Sequence, residues 1–497
     1  MTQKKTNLPK LGTNGHAHTN GHVAHTDEAA IEKLHTLFEA QQIAFRQNMM
    51  PTYTQRIDWL NTLSNMMLEN QDRMITAIES DFGTHPGELT RITEILGPVS
   101  RAKFARKSLR KWMRPQKRYI DRLLFGLAKN RLMYQPVGVV GNMSPWNFPI
   151  DISFGPLAEI LAAGNRCIIK PSENAPHTAQ LVADLIDEYF DPTVVAVVTG
   201  GLELAQTFSG MPWNHLLFTG GPEIGKKVMA AAAKHLTPVT LELGGKNPTI
   251  ITEDSLNENT LESIIATKMV KSGQMCITSD YVFVPERKVE RFVELAQGAM
   301  AKLYPKVVNN RESTSVINAG HYARLDSYLA DARDSGTRMV ELNPAGETAD
   351  ASKRKLVPTL VIDPDEDRLV MKHEIFGPIL PVKTYRNIEE TINYINDHER
   401  PLALYIFSKD SKTIDKILNN TISGGVAVNA VALQTMQASL PFGGTGNSGM
   451  GHHHGHEGFV AFSKAKPVFY QAPINGSSLL YPPYGKNVTR LLDFLLR

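Results

Sequence analysis

The feature that most restricts the fold of this chain is a regular alternation of short apolar runs and helical stretches. The apolar runs are Val137–Val140, Cys167–Ile169, Val194–Val198, Leu216–Phe218 and Val239–Leu241. Between them, residues around 152–163, 174–189, 201–208 and 222–235 carry a helical pattern. Runs this short and this apolar suit strands covered on both faces, so the alternation predicts a parallel sheet flanked by helices. Right-handed crossovers make that a doubly wound α/β domain, with ligands at the carboxyl ends of its strands.

The rest of the chain divides around this block. The pattern is helical from about Glu28 to Arg118. There Arg101, Lys103, Arg106, Lys107, Arg110 and Lys111 alternate with Phe104, Leu109 and Trp112, and read as a solvated basic face. A second α/β segment begins after Gly244 and runs to about Leu440. The part 441–497 is rich in Gly, His and aromatics, and Phe459–Tyr470 reads as an extended strand. Residues 1–27 are rich in His, Asn, Gly and Thr, lack a hydrophobic period, and read as a disordered tail.

Composition removes several classes of function. With 497 residues, the chain is long enough for two or three domains and a large core. A net charge of +3 is too small to argue for nucleic acid or an anionic membrane as partner. There are 2 cysteines, so no disulfide framework exists and a reducing, cytoplasmic setting fits. The first ten residues are polar and basic with no apolar core after them, so no secretory signal is expected. No window approaches ~18 uninterrupted apolar residues, so no integral membrane segment is expected. The histidines at 452–454 and 456, and those at 16, 18, 22 and 25, lack the spacing of a structural zinc site, so no metal is expected.

Three residues suggest chemistry. Cys276 lies in Gly273-Gln274-Met275-Cys276, between a helix-like run and the strand-like Tyr281–Val284. A thiol at such a junction can be exposed and nucleophilic, whereas Cys167, inside an apolar strand, reads as an inert core residue. Glu242 stands in Leu241-Glu242-Leu243-Gly244-Gly245-Lys246-Asn247-Pro248. Asn147 stands among rigid neighbours in Pro145-Trp146-Asn147-Phe148-Pro149. Nucleophile, carboxylate and amide donor outline acyl chemistry through a covalent thioester. Taken singly, each has a plainer reading: a structural cysteine, a capping acid, a turn asparagine.

Two further elements suit a nucleotide. Phe218-Thr219-Gly220-Gly221-Pro222-Glu223-Ile224-Gly225 follows a strand and opens a helix, where backbone N–H groups can meet a pyrophosphate. It is Gly-x-x-x-x-Gly rather than the usual dinucleotide fingerprint, and an ordinary turn with a helix start stays open. Lys170-Pro171-Ser172-Glu173 after Cys167–Ile169 can hold ribose hydroxyls or form a surface loop.

From about residue 30 to the C-terminus, these motifs together resemble the aldehyde dehydrogenase superfamily. Glu374-Ile375-Phe376-Gly377-Pro378 and Pro441-Phe442-Gly443-Gly444 complete the set in family order. Asn447–Gly451, His454-Gly455 and Phe462-Ser463 are similar to the class 3-like branch. Trp112–Pro115, His235–Thr240 and Tyr481–Lys486 resemble its bacterial coniferyl aldehyde dehydrogenase subgroup. The chain departs from the pattern at Gly221, Pro222 and Phe148, where Ser, Thr and Tyr are common.

The resemblance implies a Rossmann-like cofactor domain over 28–118 and 135–240 and a catalytic domain over 241–440. Segments 119–134 and 441–497 would then form an oligomerisation hairpin and its partner, giving a homodimer. Cys276 would attack an aldehyde, Asn147 and the Cys276 N–H would hold the oxyanion, and Glu242 would activate water against the thioester. NAD is the implied cofactor, with NADP also accepted in this branch. Its binding would fall to Pro145, Trp146, Lys170, Ser172, Glu173, Gly220, Gly221, Gly225, Leu243, Gly244, Glu374 and Phe376. Phe148, Ile152, Gly155, Met275 and Ile277 would line the aldehyde tunnel, Gly155 by removing bulk. Coniferaldehyde to ferulate is the first expected reaction, and oxidation of medium or long alkyl aldehydes the second. A CoA-acylating enzyme conflicts with Glu242, and a non-catalytic protein conflicts with Cys276, Glu242 and Asn147 together.

Overall fold

The computed structural model describes residues 27–477 and 481–496. The histidines of the N-terminal tail lie outside the described residues. Asp27, expected in the tail, opens helix Asp27–Gln47, and its carboxylate accepts from the Gly201 and Leu204 N–H groups. It thereby caps the helix Leu202–Ser209, which has no side-chain cap of its own.

The alternating block forms a six-stranded sheet in the order Gly449–Met450, Val239–Leu243, His215–Gly220, Val139–Met143, Arg166–Lys170, Val195–Val197. All pairs are parallel except the short Gly449–Met450 edge. Helices Asp151–Ala163, Pro176–Tyr189, Leu202–Ser209 and Pro222–Ala233 fill the crossovers. In sequence order the parallel strands lie third, second, first, fourth, fifth, so the winding reverses between Val139–Met143 and His215–Gly220. A reversal of this kind opens a crevice at the strands' carboxyl ends. The stretch from Ser144 to Asn147 leaves one strand there, and Gly220-Gly221 leaves the other.

A second sheet has seven strands: Arg338–Glu341, Thr359–Ile362, Ile379–Tyr385, Tyr281–Pro285, Pro248–Ile251, Ala403–Phe407 and Gly425–Val428. It is parallel except at Arg338–Glu341. The division between the two sheets falls after Leu243, not before Leu241, because all of Val239–Leu243 pairs with His215–Gly220. Each sheet carries its own apolar core, around Leu157, Ile169 and Leu217 in the first and Val282, Phe292 and Tyr405 in the second.

A third, antiparallel sheet joins Gln116–Arg118, Lys129–Pro136 and Ser463–Tyr470. Phe459–Ala461, expected as strand, instead ends the helix Gly455–Ala461, because Phe459 is needed against Trp112 and Tyr134. Among the described residues, no helix is long and apolar enough to cross a membrane.

Candidate active site

The Cys276 loop is built by backbone carbonyls caught on side-chain amides. Asn247 Nδ2 donates to the Cys276 and Thr278 carbonyls at 2.7 and 3.1 Å, while its Oδ1 accepts from Ala403 N–H at 2.8 Å. Gln274 bonds the Lys271 and Ser315 carbonyls and the Ile317 N–H. Tyr405 OH donates to the Ile277 carbonyl. Gly273 has φ +77°, and a Cβ there would stand 2.2 Å from the Gly377 carbonyl. Only glycine lets the thiol loop lie against the Glu374–Pro378 segment.

Glu242 is 2% exposed and lies near the end of its strand, beside Thr219 on one flank and Gly449 on the other. Neither carboxylate oxygen has a hydrogen-bond partner among the described residues. Burial pushes its carboxyl well up, opposed by the nearby Arg101 guanidinium. His453 Nε2 stands 3.8 Å from Glu242 Oε1. Cys276 keeps partial exposure, yet it lies deep enough that burial, with Glu374 and Glu242 nearby, pushes the thiol up. Asn147 is buried, and its Nδ2 donates to the Gln274 carbonyl at 3.1 Å, next to the thiol loop.

Two cavities meet at these groups. One, of about 410 Å³, is mainly apolar and includes Phe148, Ile152, Met275 and Ile277 in its wall. Its outer part carries the exposed side chains of Ile92, Leu96, Leu433 and Met436. The other, of about 300 Å³, is lined by Pro145, Trp146, Asn147, Gly220, Gly221, Gly244, Glu374 and Phe376. Thr219, Glu242, Leu243 and Cys276 line both.

Gly155 does not line the apolar cavity. A Cβ at this position would lie 2.5 Å from Arg101 Nη1, so the missing side chain makes room for a guanidinium. Arg101 itself is not on a solvated face. It is 5% exposed, pairs with Glu159, and approaches His453 Nδ1 at 3.1 Å. The sequence showed only a basic helix; the acid that draws Arg101 inward lies 58 residues away.

The polar cavity has features of a nucleotide site. Gly221 precedes helix Pro222–Ala233, whose N-terminus has no side-chain cap; the Ile224 and Gly225 N–H groups bond the Gly221 carbonyl at 3.1 and 3.0 Å, and the helix start presents the Glu223 N–H and its positive end to an anion. A Cβ on Gly221 would meet open space, whereas one on Gly244 would stand 2.1 Å from Glu374 Oε2. Glu374 is pushed up to about 8, first by burial and then by Asp280. Gly225 lies outside the lining; a Cβ there would press on Leu243 at 2.7 Å, so it serves close helix–strand packing. Lys170 ends the neighbouring strand and Ser172 and Glu173 follow it, all three beyond this lining. Lys170 Nζ donates to Glu173 at 3.0 Å, and Ser172 Oγ accepts from Asn174 N–H at 3.2 Å.

The described residues contain no group of three or more His, Cys, Asp or Glu able to hold a metal ion. His454 stacks on Phe442, and His456 packs against Trp112, Tyr134 and Phe459. Cys167 is fully buried.

Residues 10–468 match the model of the Aldehyde dehydrogenase family. The chain belongs to the aldehyde dehydrogenase family. It is 42% identical over 481 residues to a probable coniferyl aldehyde dehydrogenase of Caulobacter vibrioides, covering 95% of this chain and 99% of that one. It is 44% identical over 443 residues to the coniferyl aldehyde dehydrogenase of a Pseudomonas species, covering 89% and 92%. Among solved structures, the substrate-bound state of Staphylococcus aureus AldH superposes with a TM-score of 0.88 at 31% identity, covering 93% and 99%.

Membership gives the meeting of the two cavities its chemical sense. An enzyme of this family oxidises aldehydes, and the apolar and polar cavities meet at Cys276 and Glu242. The sequence gives no sign of a role for Thr219, Asn247 or Lys271, and it shows Arg101 and His453 only as part of a basic helix and a histidine cluster. Most are polar residues whose partners are remote in sequence, so no local spacing marks them.

Proposed function

We propose that this aldehyde dehydrogenase oxidises coniferaldehyde to ferulate with a nicotinamide dinucleotide, NAD before NADP. The observation that carries the reading is that Cys276 and Glu242 stand in the wall shared by an apolar cavity and a polar, glycine-walled one. The named relatives at 42% and 44% identity support the substrate. A solved aldehyde dehydrogenase from Mycobacterium tuberculosis is described as complexed with NAD+, which supports the cofactor class.

The residues present fit a dinucleotide: an uncapped helix start after Gly220-Gly221, and Glu374 facing the space that Gly244 leaves open. Glu173 disfavours a 2′-phosphate by charge, which supports NAD. When bound, the nicotinamide supplies the hydride acceptor.

The protein's own groups do the remainder. Cys276 gives its thiol proton to water, and its sulfur adds to the aldehyde carbon as the carbonyl π bond opens, forming the thiohemiacetal oxyanion. Asn147 Nδ2 retains one N–H beyond its bond to Gln274, and with the Cys276 N–H it can hold the oxyanion. Removing one donor of this kind typically costs about 2.7–4 kcal/mol of barrier. After hydride departs, a Cys276 thioester remains. Glu242, ionised, takes a proton from water, whose oxygen attacks the acyl carbon; the carbon–sulfur bond breaks and the proton held by Glu242 passes to the departing sulfur, leaving the acid and the thiol. A carboxyl raised by burial is a stronger base than an ordinary carboxylate, which suits this task.

The test is a substrate panel run with both nucleotides on the parent chain and on Cys276→Ser. Coniferaldehyde is expected to give the highest kcat/KM, and the serine variant to be inactive. A roughly hundredfold preference for an alkanal, some 2.7 kcal/mol at the transition state, would replace coniferaldehyde by an aliphatic substrate.

A further inference from the structure

Asn147 is held by a buried charge that the chemistry above does not use. Lys271 lies in the turn Val270–Gly273, and both it and Ser272 adopt left-handed backbone, with φ +47° and +52°. A side chain in that region costs on the order of 1 kcal/mol or more. In this arrangement Lys271 is 0% exposed. Its Nζ donates to the Asn147 carbonyl at 2.7 Å and forms an ion pair with Glu94 Oε1. The same Nζ lies 4.4 Å from the Phe148 ring centroid.

Glu94 completes the grip from the other side. Its Oε2 accepts from the Ile150 and Asp151 N–H groups at 3.1 and 2.9 Å. It is carried on the π-helical turn Arg91–Ile95, a local widening often found at functional sites. One ion pair therefore fixes the backbone at residues 147, 150 and 151, on both sides of Phe148 and Pro149. Removing two charges from water costs several kcal/mol each, and an apolar pair would usually serve stability as well. What the charges add is direction.

We infer that Lys271 and Glu94 are positioning residues: by fixing the Asn147 backbone they aim its side-chain amide at the oxyanion formed on Cys276. This rests on the oxyanion role of Asn147 in the reading above. Neither residue lines either cavity.

Three rates on each variant test it: oxidation of coniferaldehyde, acylation of Cys276 by p-nitrophenyl acetate, and alkylation of Cys276 by iodoacetamide. The first two pass through an oxyanion and the third does not. Lys271→Met is expected to slow the first two by about ten- to a hundredfold, with kcat falling more than KM rises, and to leave alkylation within about threefold. In a double-mutant cycle, Asn147→Ala should cost less in the Lys271→Met background than in the parent, because the amide is already misaimed. Because breaking one buried pair can unfold a chain, the neutral pair Glu94→Gln/Lys271→Met is measured alongside. Parent rates of oxidation in either folded variant, or an additive cycle, would overturn the proposal. So would unfolding of both variants, which would make the pair a stability element. Absence of aldehyde oxidation in the parent chain would instead defeat the functional reading.

Discussion

At the scale of single residues, the site depends on where ionisable groups are buried. Among the described residues the Glu242 carboxylate oxygens have no hydrogen-bond partner, and its carboxyl is pushed up by burial. A base works only when ionised, so thioester hydrolysis should rise with pH through a limb above the ordinary carboxylate range. Glu242→Gln is expected to abolish that limb and slow turnover by about 10²–10⁴-fold, while a first-turnover burst of reduced cofactor survives. A variant that kept the limb would remove Glu242 from the role. Gly244→Ala tests the neighbouring wall: its Cβ would overlap Glu374 Oε2. The expected outcome is a KM for the nucleotide raised about tenfold, a loss of ~1.4 kcal/mol, with Cys276 alkylation unchanged. Cys276, Glu242 and Asn147, the residues proposed for the chemistry, could be singled out in the sequence because each stands in a compact motif. Gly155 was misread, since the guanidinium it accommodates comes from a helix more than fifty residues earlier.

At the scale of elements, helices were easier to read than the contacts that seat them. Helix Asp151–Ala163 is buried along nearly its whole length, and its C-terminal carbonyls need a partner. Arg56, 1% exposed, supplies it from helix Tyr53–Glu69, donating to the Ala162 and Ala163 carbonyls at 3.0 and 2.8 Å. A cation at a helix C-terminus also complements the helix dipole. Arg56→Ala would orphan these carbonyls and open a void, and should cost about 3 kcal/mol, read as a lower urea midpoint. A loss within about 0.5 kcal/mol would show that the carbonyls find another donor. The pattern between 137 and 241 predicted the five parallel strands and the crossover helices of the first sheet to within a few residues, because parallel strands must be apolar on both faces; the antiparallel Gly449–Met450 edge lay outside it. The strand expected from Phe459 failed at its start, where three aromatic contacts favour a helix turn.

At the scale of the whole molecule, the antiparallel sheet of Gln116–Arg118, Lys129–Pro136 and Ser463–Tyr470 presents a largely exposed strand. Phe469 and Tyr470 are about half exposed on it. A sheet edge with aromatic side chains is suited to a second subunit, so a homodimer is expected at micromolar concentration by light scattering. A mass equal to one chain would remove that expectation.

The sequence by itself determined the parallel, doubly wound architecture and pointed to Cys276, Glu242 and Asn147 as candidates, since both depend on short-range pattern: strand length, helix period, and residues packed into one motif. Only the tertiary structure decided what surrounds them. It drew Arg101 inward to Glu159, set His453 beside Glu242, and tied the Asn147 carbonyl to Lys271, itself paired with Glu94. Those pairings join residues from separate parts of the chain, and a buried charge is placed by its partner, which no local spacing reveals.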